Sequence, residues 1–296
     1  MGHAAARPLT WSAALRLGRV SNLPTVWTNV LAGAVLAGAS PASPWLPALL
    51  AAFSLSYVAG MYLNDWFDRA LDAAERPGRP IPSGEARPDA VLAAGAAMLG
   101  AGALLLAWTG YAAGTGWAAG LAAATLAGAI VVYDWNHKAN PLSPVVMGVC
   151  RVLVYVGTGA ALAGTARIDL LAGAAALLCY LVGLTYAARQ EASDRLASPW
   201  PLLLLAVPVV YGLAAALPDP VACAFWLLFL GWTAWSLSFL LVPGRLRVPK
   251  AVGHLIAGIC LFDAVVLAAW GHPGPALAAV AAFVLTLALQ RRIPGT

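Results

Sequence analysis

The chain has 296 residues, of which 61% are hydrophobic and only 10% charged, with a formal net charge of +5. A soluble protein of this size carries about 25% charged residues, so the composition excludes an ordinary water-soluble domain. Apolar runs near the length needed to cross a bilayer recur throughout, which points to an all-α, polytopic membrane bundle. No hydrophilic stretch is long enough for a separate soluble unit, so residues 1–296 read as a single integral-membrane domain. The four cysteines, Cys150, Cys179, Cys223 and Cys260, lie inside apolar runs without metal-ligand spacing and read as small core residues. The first apolar run has no small-residue cleavage site, so no removed signal peptide is expected.

A basic N-terminal segment with Arg7, Arg16 and Arg19 precedes Ser21-Asn22-Leu23-Pro24, which opens a first span over about 25–39. Asn29 lies inside it, where an amide either hydrogen-bonds a neighbouring helix or faces a ligand. A second span, about 45–63, has Pro47 in its first turn, where proline is tolerated. It delivers Asn64-Asp65-Trp66-Phe67-Asp68-Arg69-Ala70-Leu71-Asp72. A polar loop, 65–89, follows, and its Pro-Gly-Arg-Pro-Ile-Pro-Ser-Gly core breaks any helix there. Spans at about 90–108 and 116–133 lead to Tyr133-Asp134-Trp135-Asn136-His137-Lys138. The fifth span, about 144–164, carries Arg151, which at that depth snorkels or points into a polar cavity. The sixth, about 170–188, leads into Arg189-Gln190-Glu191-Ala192-Ser193-Asp194-Arg195. The seventh, about 200–217, is expected to kink at Pro208. An eighth run, about 221–242, precedes a basic loop with Arg245, Arg247 and Lys250, and runs at about 252–270 and 276–289 end before Arg291 and Arg292.

With the N-terminus inside, the inner loops hold fifteen of the seventeen Lys and Arg residues; Arg151 is within a span and Arg167 alone lies outside. That asymmetry predicts a cytoplasmic N-terminus, and the usage of two lysines against fifteen arginines with abundant Ala and Gly suggests a GC-rich bacterial genome, hence a bacterial inner membrane. It favours ten crossings, because Arg291 and Arg292 then end inside; the last run is short, and nine remain open. The same topology puts the polar clusters after spans two, four and six on one side of the membrane, at a shared cytoplasmic cavity.

Asp65, Asp68 and Asp72 fall at i, i+3 and i+7, on one face if the helix carries on, and Asn64 joins that face through Asp68. Structurally this is a poor place for three acids. Carboxylates near a helix C-terminus oppose its dipole by roughly 0.3–1 kcal/mol each. A solvated acidic loop would tolerate that cost; a cation would offset it. Oxygen-only ligands select a hard cation such as Mg²⁺, which shares itself readily with a substrate phosphate. Arg76 and Arg79 follow, and guanidinium groups suit diphosphate oxygens.

The spacing N-D-x-x-D-x-x-x-D followed by R-x-x-R-P, from Asn64 to Ile81, resembles the first aspartate-rich motif of the UbiA superfamily of intramembrane prenyltransferases. Tyr133 and Lys138 look like that family's tyrosine–lysine element after the fourth helix, and Arg19-x-x-Asn22-Leu-Pro with Asn29 resembles its opening helix. The resemblance implies a UbiA-like bundle of nine helices around a central lipid-facing cavity, one fewer than the ten read above. It implies a metal site from Asn64, Asp65, Asp68 and Asp72, completed by a second motif after the sixth helix. It further implies an Mg²⁺-held isoprenyl diphosphate donor whose remaining charge is met by Arg76, Arg79 and Lys138, and a small lipophilic or amphiphilic acceptor, aromatic or otherwise. Asp65, Asp68, Asp194, Tyr133 and Lys138 would act in catalysis, with Asn29, Asn64, Arg151, Gln190 and Arg195 on substrate. Membrane lipid is the other expected partner, and no nucleic acid is expected.

The second motif departs from the family pattern. Asp194-Arg195 fits its end, but Gln190 stands where the first aspartate belongs, leaving Glu191 and Asp194 as the carboxylates. With the 21–33 opening, this resembles the Ebo-type branch of UbiA-like proteins. The alternative it raises is a UbiA-like protein that has lost turnover and binds or moves a lipid. A secondary transporter, suggested by Arg151 and Asp263 within spans, leaves 65–79 unexplained and has no inverted repeat to support it. Asp263 is expected to pair with Arg151 or to face a small polar pocket. Tyr57, Tyr62 and Tyr155 either border the cavity, where aromatic faces stabilise a cation, or pack. Trp66, Trp135 and Trp200 read as interfacial anchors. His254 and His272 have no metal partner at helical spacing.

Overall fold

The computed structural model describes residues 10–138, 140–189, 199–217, 219–242, 246–293 and 295. Within them all regular structure is helical. A short helix α1 (Trp11–Leu17) is capped by Thr10, whose Oγ1 accepts from the Ala13 N–H at 3.2 Å. Among the described residues eight helices are long and apolar enough to cross a membrane: α3 (Leu46–Phe67), α5 (Pro88–Ala112), α6 (Ala118–Asn136), α7 (Ser143–Ala163), α8 (Ile168–Ala188), α10 (Pro220–Leu241), α11 (Val248–Ala269) and α12 (Pro273–Gln290). Two expected spans are shorter, α2 (Leu23–Leu36) and the segment Trp200–Ala216. Helix α4 (Arg69–Glu75) lies in the loop after α3.

The helices start where the sequence provides for it. Prolines occupy the first turn of α2, α3, α5, α7, α10, α11 and α12, where their missing N–H would have no partner in any case. The seventh run begins as a 3-10 helix, Trp200–Leu205, and becomes α-helical as α9 (Ala206–Ala216), so its geometry changes just before Pro208, which lies in the first turn of α9.

Helix α11 is the core of the bundle. Every residue from Ala257 to Ala268 is buried, as expected of a helix apolar all round, and α2, α8, α9, α10 and α12 pack around it. One apolar cluster joins α3, α5, α6 and parts of α2 and α7, through residues such as Phe53, Leu106 and Leu126. A second joins α8 to α12, through Leu177, Tyr180, Phe229 and Phe262. Helices α2 and α7 belong to both, and they approach closely at Gly33, where a Cβ would lie 2.9 Å from the Tyr155 Cα. The C-terminal ends of α3, α6 and α8 line one cavity along this seam, which is the convergence expected after spans two, four and six.

Candidate active site

The site begins in the turn between α1 and α2. Arg19 has φ 40°, the only positive φ of any described non-glycine residue, a conformation that costs on the order of 1–3 kcal/mol. The turn aims its side chain at the end of α3. There Nη2 donates to Asn64 Oδ1 at 3.1 Å and to Asp65 Oδ1 at 2.9 Å, and such charge-assisted bonds offset the strain.

Helix α3 ends at Phe67, but the chain keeps a helical path. The Asp68 N–H donates to the Asn64 carbonyl and the Asp72 N–H to the Asp68 carbonyl, both at 2.9 Å. Asp65 and Asp72 therefore lie on one face and share a cation, as their spacing predicted, but here that cation is an arginine. Arg79 Nη1 donates to Asp65 Oδ1 at 3.1 Å and to Asp72 Oδ2 at 3.0 Å.

Asp68 turns toward α6 instead. Its Oδ2 lies 3.2 Å from Lys138 Nζ and 3.5 Å from His137 Nε2. Burial pushes this carboxyl up, but His137 and Lys138 outweigh burial and hold it below its ordinary range. Tyr133, one turn earlier on α6, stacks on His137 with ring centroids 4.9 Å apart. Asp134 is buried beside it, and its Oδ1 accepts from Asn64 Nδ2 at 3.2 Å.

These groups frame one end of a cavity of about 510 Å³, a size suited to a small-molecule ligand. Arg19, Arg76, Arg79, Lys138 and Arg189 bring positive charge to its wall, with Asn64, Asp68, Tyr133 and Asp134. Val26, Phe53, Leu126, Ile130, Val154, Leu184, Ile256 and Ile259 supply an apolar lining. Asp65 and Asp72 do not line it, being held against Arg19 and Arg79.

A second polar group sits within the bundle, between α2, α7 and α11. Arg151 Nη1 donates to Asn29 Oδ1 at 3.1 Å, and Asn29 Nδ2 donates to Asp263 Oδ2 at 2.8 Å. The Tyr155 hydroxyl donates to Asp263 Oδ1. Arg151 and Asp263 are thus linked through Asn29, which is fully buried and off the cavity wall. Arg151 does line the cavity, and its guanidinium lies over the Tyr57 ring at 5.4 Å. Of the three tyrosines considered at its border, Tyr57 lines it, Tyr62 donates to the Ala14 carbonyl at 3.2 Å, and Tyr155 is buried on Asp263.

The structure therefore gathers Asn64, Asp65, Asp68, Asp72, Arg76, Arg79, Tyr133, Lys138 and Arg151 around or just behind one cavity wall. Gln190, Glu191, Asp194 and Arg195 lie outside the described residues. Three groups carry no site role in the sequence reading: Arg19 counts only toward topology and the resemblance of the opening helix, and Asp134 and His137 are merely neighbours of Tyr133 and Lys138. The signal for Asp134 was a carboxylate in the last turn of an apolar helix, a placement that is functional by default.

Among the described residues no three His, Cys, Asp or Glu side chains are arranged to hold a metal ion by themselves. The donor set nevertheless fits Mg²⁺, which takes one or two carboxylates and completes its shell with phosphate oxygens. Asn64 and Asp68 line the cavity, and Asp134, which lines it too, has a buried Oδ2 with no hydrogen-bond partner.

The profile of the UbiA prenyltransferase family matches residues 25–287. The chain belongs to the UbiA prenyltransferase family. It is 38% identical over 92 residues to the digeranylgeranylglyceryl phosphate synthase of Methanothrix thermoacetophila, a match covering 31% of this chain and 34% of that protein. It is 36% identical over 89 residues to the protoheme IX farnesyltransferase of Acidiphilium cryptum, covering 29% and 27%. The chain thus spans about a third of the length of these relatives. Among solved structures, an apo UbiA homologue from Aeropyrum pernix K1 superposes with a TM-score of 0.63 at 19% identity, covering 84% of this chain and 97% of that one. A digeranylgeranylglyceryl phosphate synthase superposes with a TM-score of 0.60 at 16% identity, covering 91% and 98%. At these identities the likeness is one of fold. The apolar helices together with the family make this UbiA member an integral, multi-pass membrane protein.

Proposed function

We propose that this UbiA member is an intramembrane prenyltransferase that moves an isoprenyl group from an isoprenyl diphosphate to a small lipophilic or amphiphilic acceptor. One observation carries the reading: a single cavity has a cationic end continuous with an apolar lining, matching a molecule that is a diphosphate at one end and a hydrocarbon at the other. Arg76, Arg79 and Lys138 receive the diphosphate oxygens, and Asn64 and Asp68 would hold the Mg²⁺, which supplies further neutralisation of the leaving group. Preorganised charge in a poorly hydrated site is the main means of stabilising such a departure. The C–O bond breaks toward an allylic cation, which the acceptor attacks. The Tyr57 ring on the cavity wall stabilises positive charge, while the apolar side chains hold the tail and exclude water. The basic-residue asymmetry supports a site that faces the cytoplasm, in what we take to be a bacterial inner membrane.

A second reading, a UbiA-like lipid-binding protein without turnover, is favoured by one fact: arginines already occupy Asp65 and Asp72. Binding is tested by thermal unfolding of purified protein with isoprenyl diphosphates of graded length, with and without Mg²⁺. Stabilisation that needs both diphosphate and Mg²⁺ is expected for the transferase. Equal stabilisation by the matching isoprenyl alcohols would overturn it.

A further inference from the structure

We propose that Asp134 is a further carboxylate ligand of the divalent cation at the diphosphate end of the cavity, contributed by α6 from across the wall from Asp68. The inference deepens the transferase reading and rests on it.

The starting point is an unpaired atom. Asp134 is 3% exposed, Oδ1 is satisfied by Asn64, and Oδ2 has no partner. Among the described residues it is the only buried carboxylate oxygen left in this state. A buried, ionised oxygen without a donor is costly and calls for a proton or a cation. The nearby cations are engaged elsewhere: Arg19 holds Asn64 and Asp65, Arg79 holds Asp65 and Asp72, and Lys138 holds Asp68.

Position supplies the second argument. Asp134 and Asp68 both line the cavity, whereas Asp65 and Asp72 do not. Asp134, His137 and Lys138 fall at i, i+3 and i+4, one face of the end of α6, and Asp68 meets that face at His137 and Lys138. Asn64 ties Asp134 to the start of the acidic motif. A cation between Asp68 and Asp134 would thus have two carboxylates from two helices, with open positions toward the cationic residues that receive phosphate. That division of ligands is the one Mg²⁺ favours.

The test is Mn²⁺ binding, followed by electron paramagnetic resonance, to full-length protein in detergent with inorganic pyrophosphate present. Asp134→Asn keeps the shape and the Asn64 contact; Asp134→Ser serves if that variant does not fold. Either is expected to weaken Mn²⁺ by about 10–100-fold, the scale of damaging a metal's supporting shell, with elution profile and unfolding temperature unchanged. Asp68→Asn should weaken it likewise. Wild-type Mn²⁺ affinity in the Asp134 variants beside a weakened Asp68→Asn would overturn this inference and leave the transferase reading standing. Lost turnover at undiminished Mn²⁺ affinity would also overturn it, assigning Asp134 to the acceptor's proton instead. Wild-type protein that binds no Mn²⁺ with pyrophosphate would remove both.

Discussion

The molecule buries ionisable groups in two places, and it treats them differently. At the ends of α3 and α6, cations and carboxylates meet directly and crowd one end of the cavity: Arg19, Arg79 and Lys138 each contact an aspartate. Between α2, α7 and α11, Arg151 and Asp263 are separated by Asn29, and only Arg151 reaches the cavity. The first group can exchange its partners for a diphosphate and its cation. The second is satisfied from within and ties three helices together. Burial of charge alone does not distinguish the two groups; what differs is that the first crowds several cations and carboxylates at the cavity end, whereas the second sends only Arg151 to it.

The sharpest break of this contrast is Asp263→Ala. It strands Arg151 without a counter-charge, and losing one partner of a buried pair costs about 3–5 kcal/mol. Chemical unfolding in detergent should show that loss, with cavity-end functions intact in the remaining folded protein. Unchanged stability would mean the inner network does not need its charge. Asp68→Asn should do the opposite: near-normal stability, and turnover lower by roughly two to three decades, the cost of about 3–4 kcal/mol of transition-state stabilisation. Steady-state rates with Mg²⁺ check it.

Arg79→Met is a smaller change on the cavity side. It removes a charge-assisted contact to the donor, so KM for the donor should rise about tenfold or more, while kcat falls less. A KM equal to wild type would assign Arg79 wholly to Asp65 and Asp72. The smallest effect is in pH. The Asp68 carboxyl is held low by His137 and Lys138 against the push of burial. A depressed folded-state value means the group's contribution to stability is complete above its unfolded value, near 4, and is lost as pH falls through the lower folded value. Lys138→Met removes part of the cause, so the acid limb of the unfolding profile should move to higher pH. An unmoved limb would break the Asp68–Lys138 coupling.

Much of this arrangement was legible in the residues. Among the described residues apolar runs located ten helical segments but not the short α1 and α4, and proline marked the starts of seven helices. The i, i+7 spacing of Asp65 and Asp72 anticipated a shared face, because a helix face is a local property. What spacing does not carry is which partner arrives from elsewhere in the chain. Arg79 reaching back to Asp65 and Asp72, Arg19 reaching α3 through a left-handed turn, and Asn29 relaying Arg151 to Asp263 all depend on contacts between separate segments. Sequence also did not show that the run ahead of Pro208 is a 3-10 helix that turns α-helical only at Ala206. Asp134 looked like an ordinary polar helix end until its unpaired oxygen could be seen.

The central claim is that the cavity breaks the donor rather than merely holding it. Release of pyrophosphate from an isoprenyl diphosphate by purified protein, with Mg²⁺ and a panel of aromatic and lipid acceptors, tests this directly. The account predicts release that requires Mg²⁺ and is lost in Asp68→Asn. Tight, Mg²⁺-dependent donor binding with no release for any acceptor would contradict it and make the protein a lipid-binding member of the family.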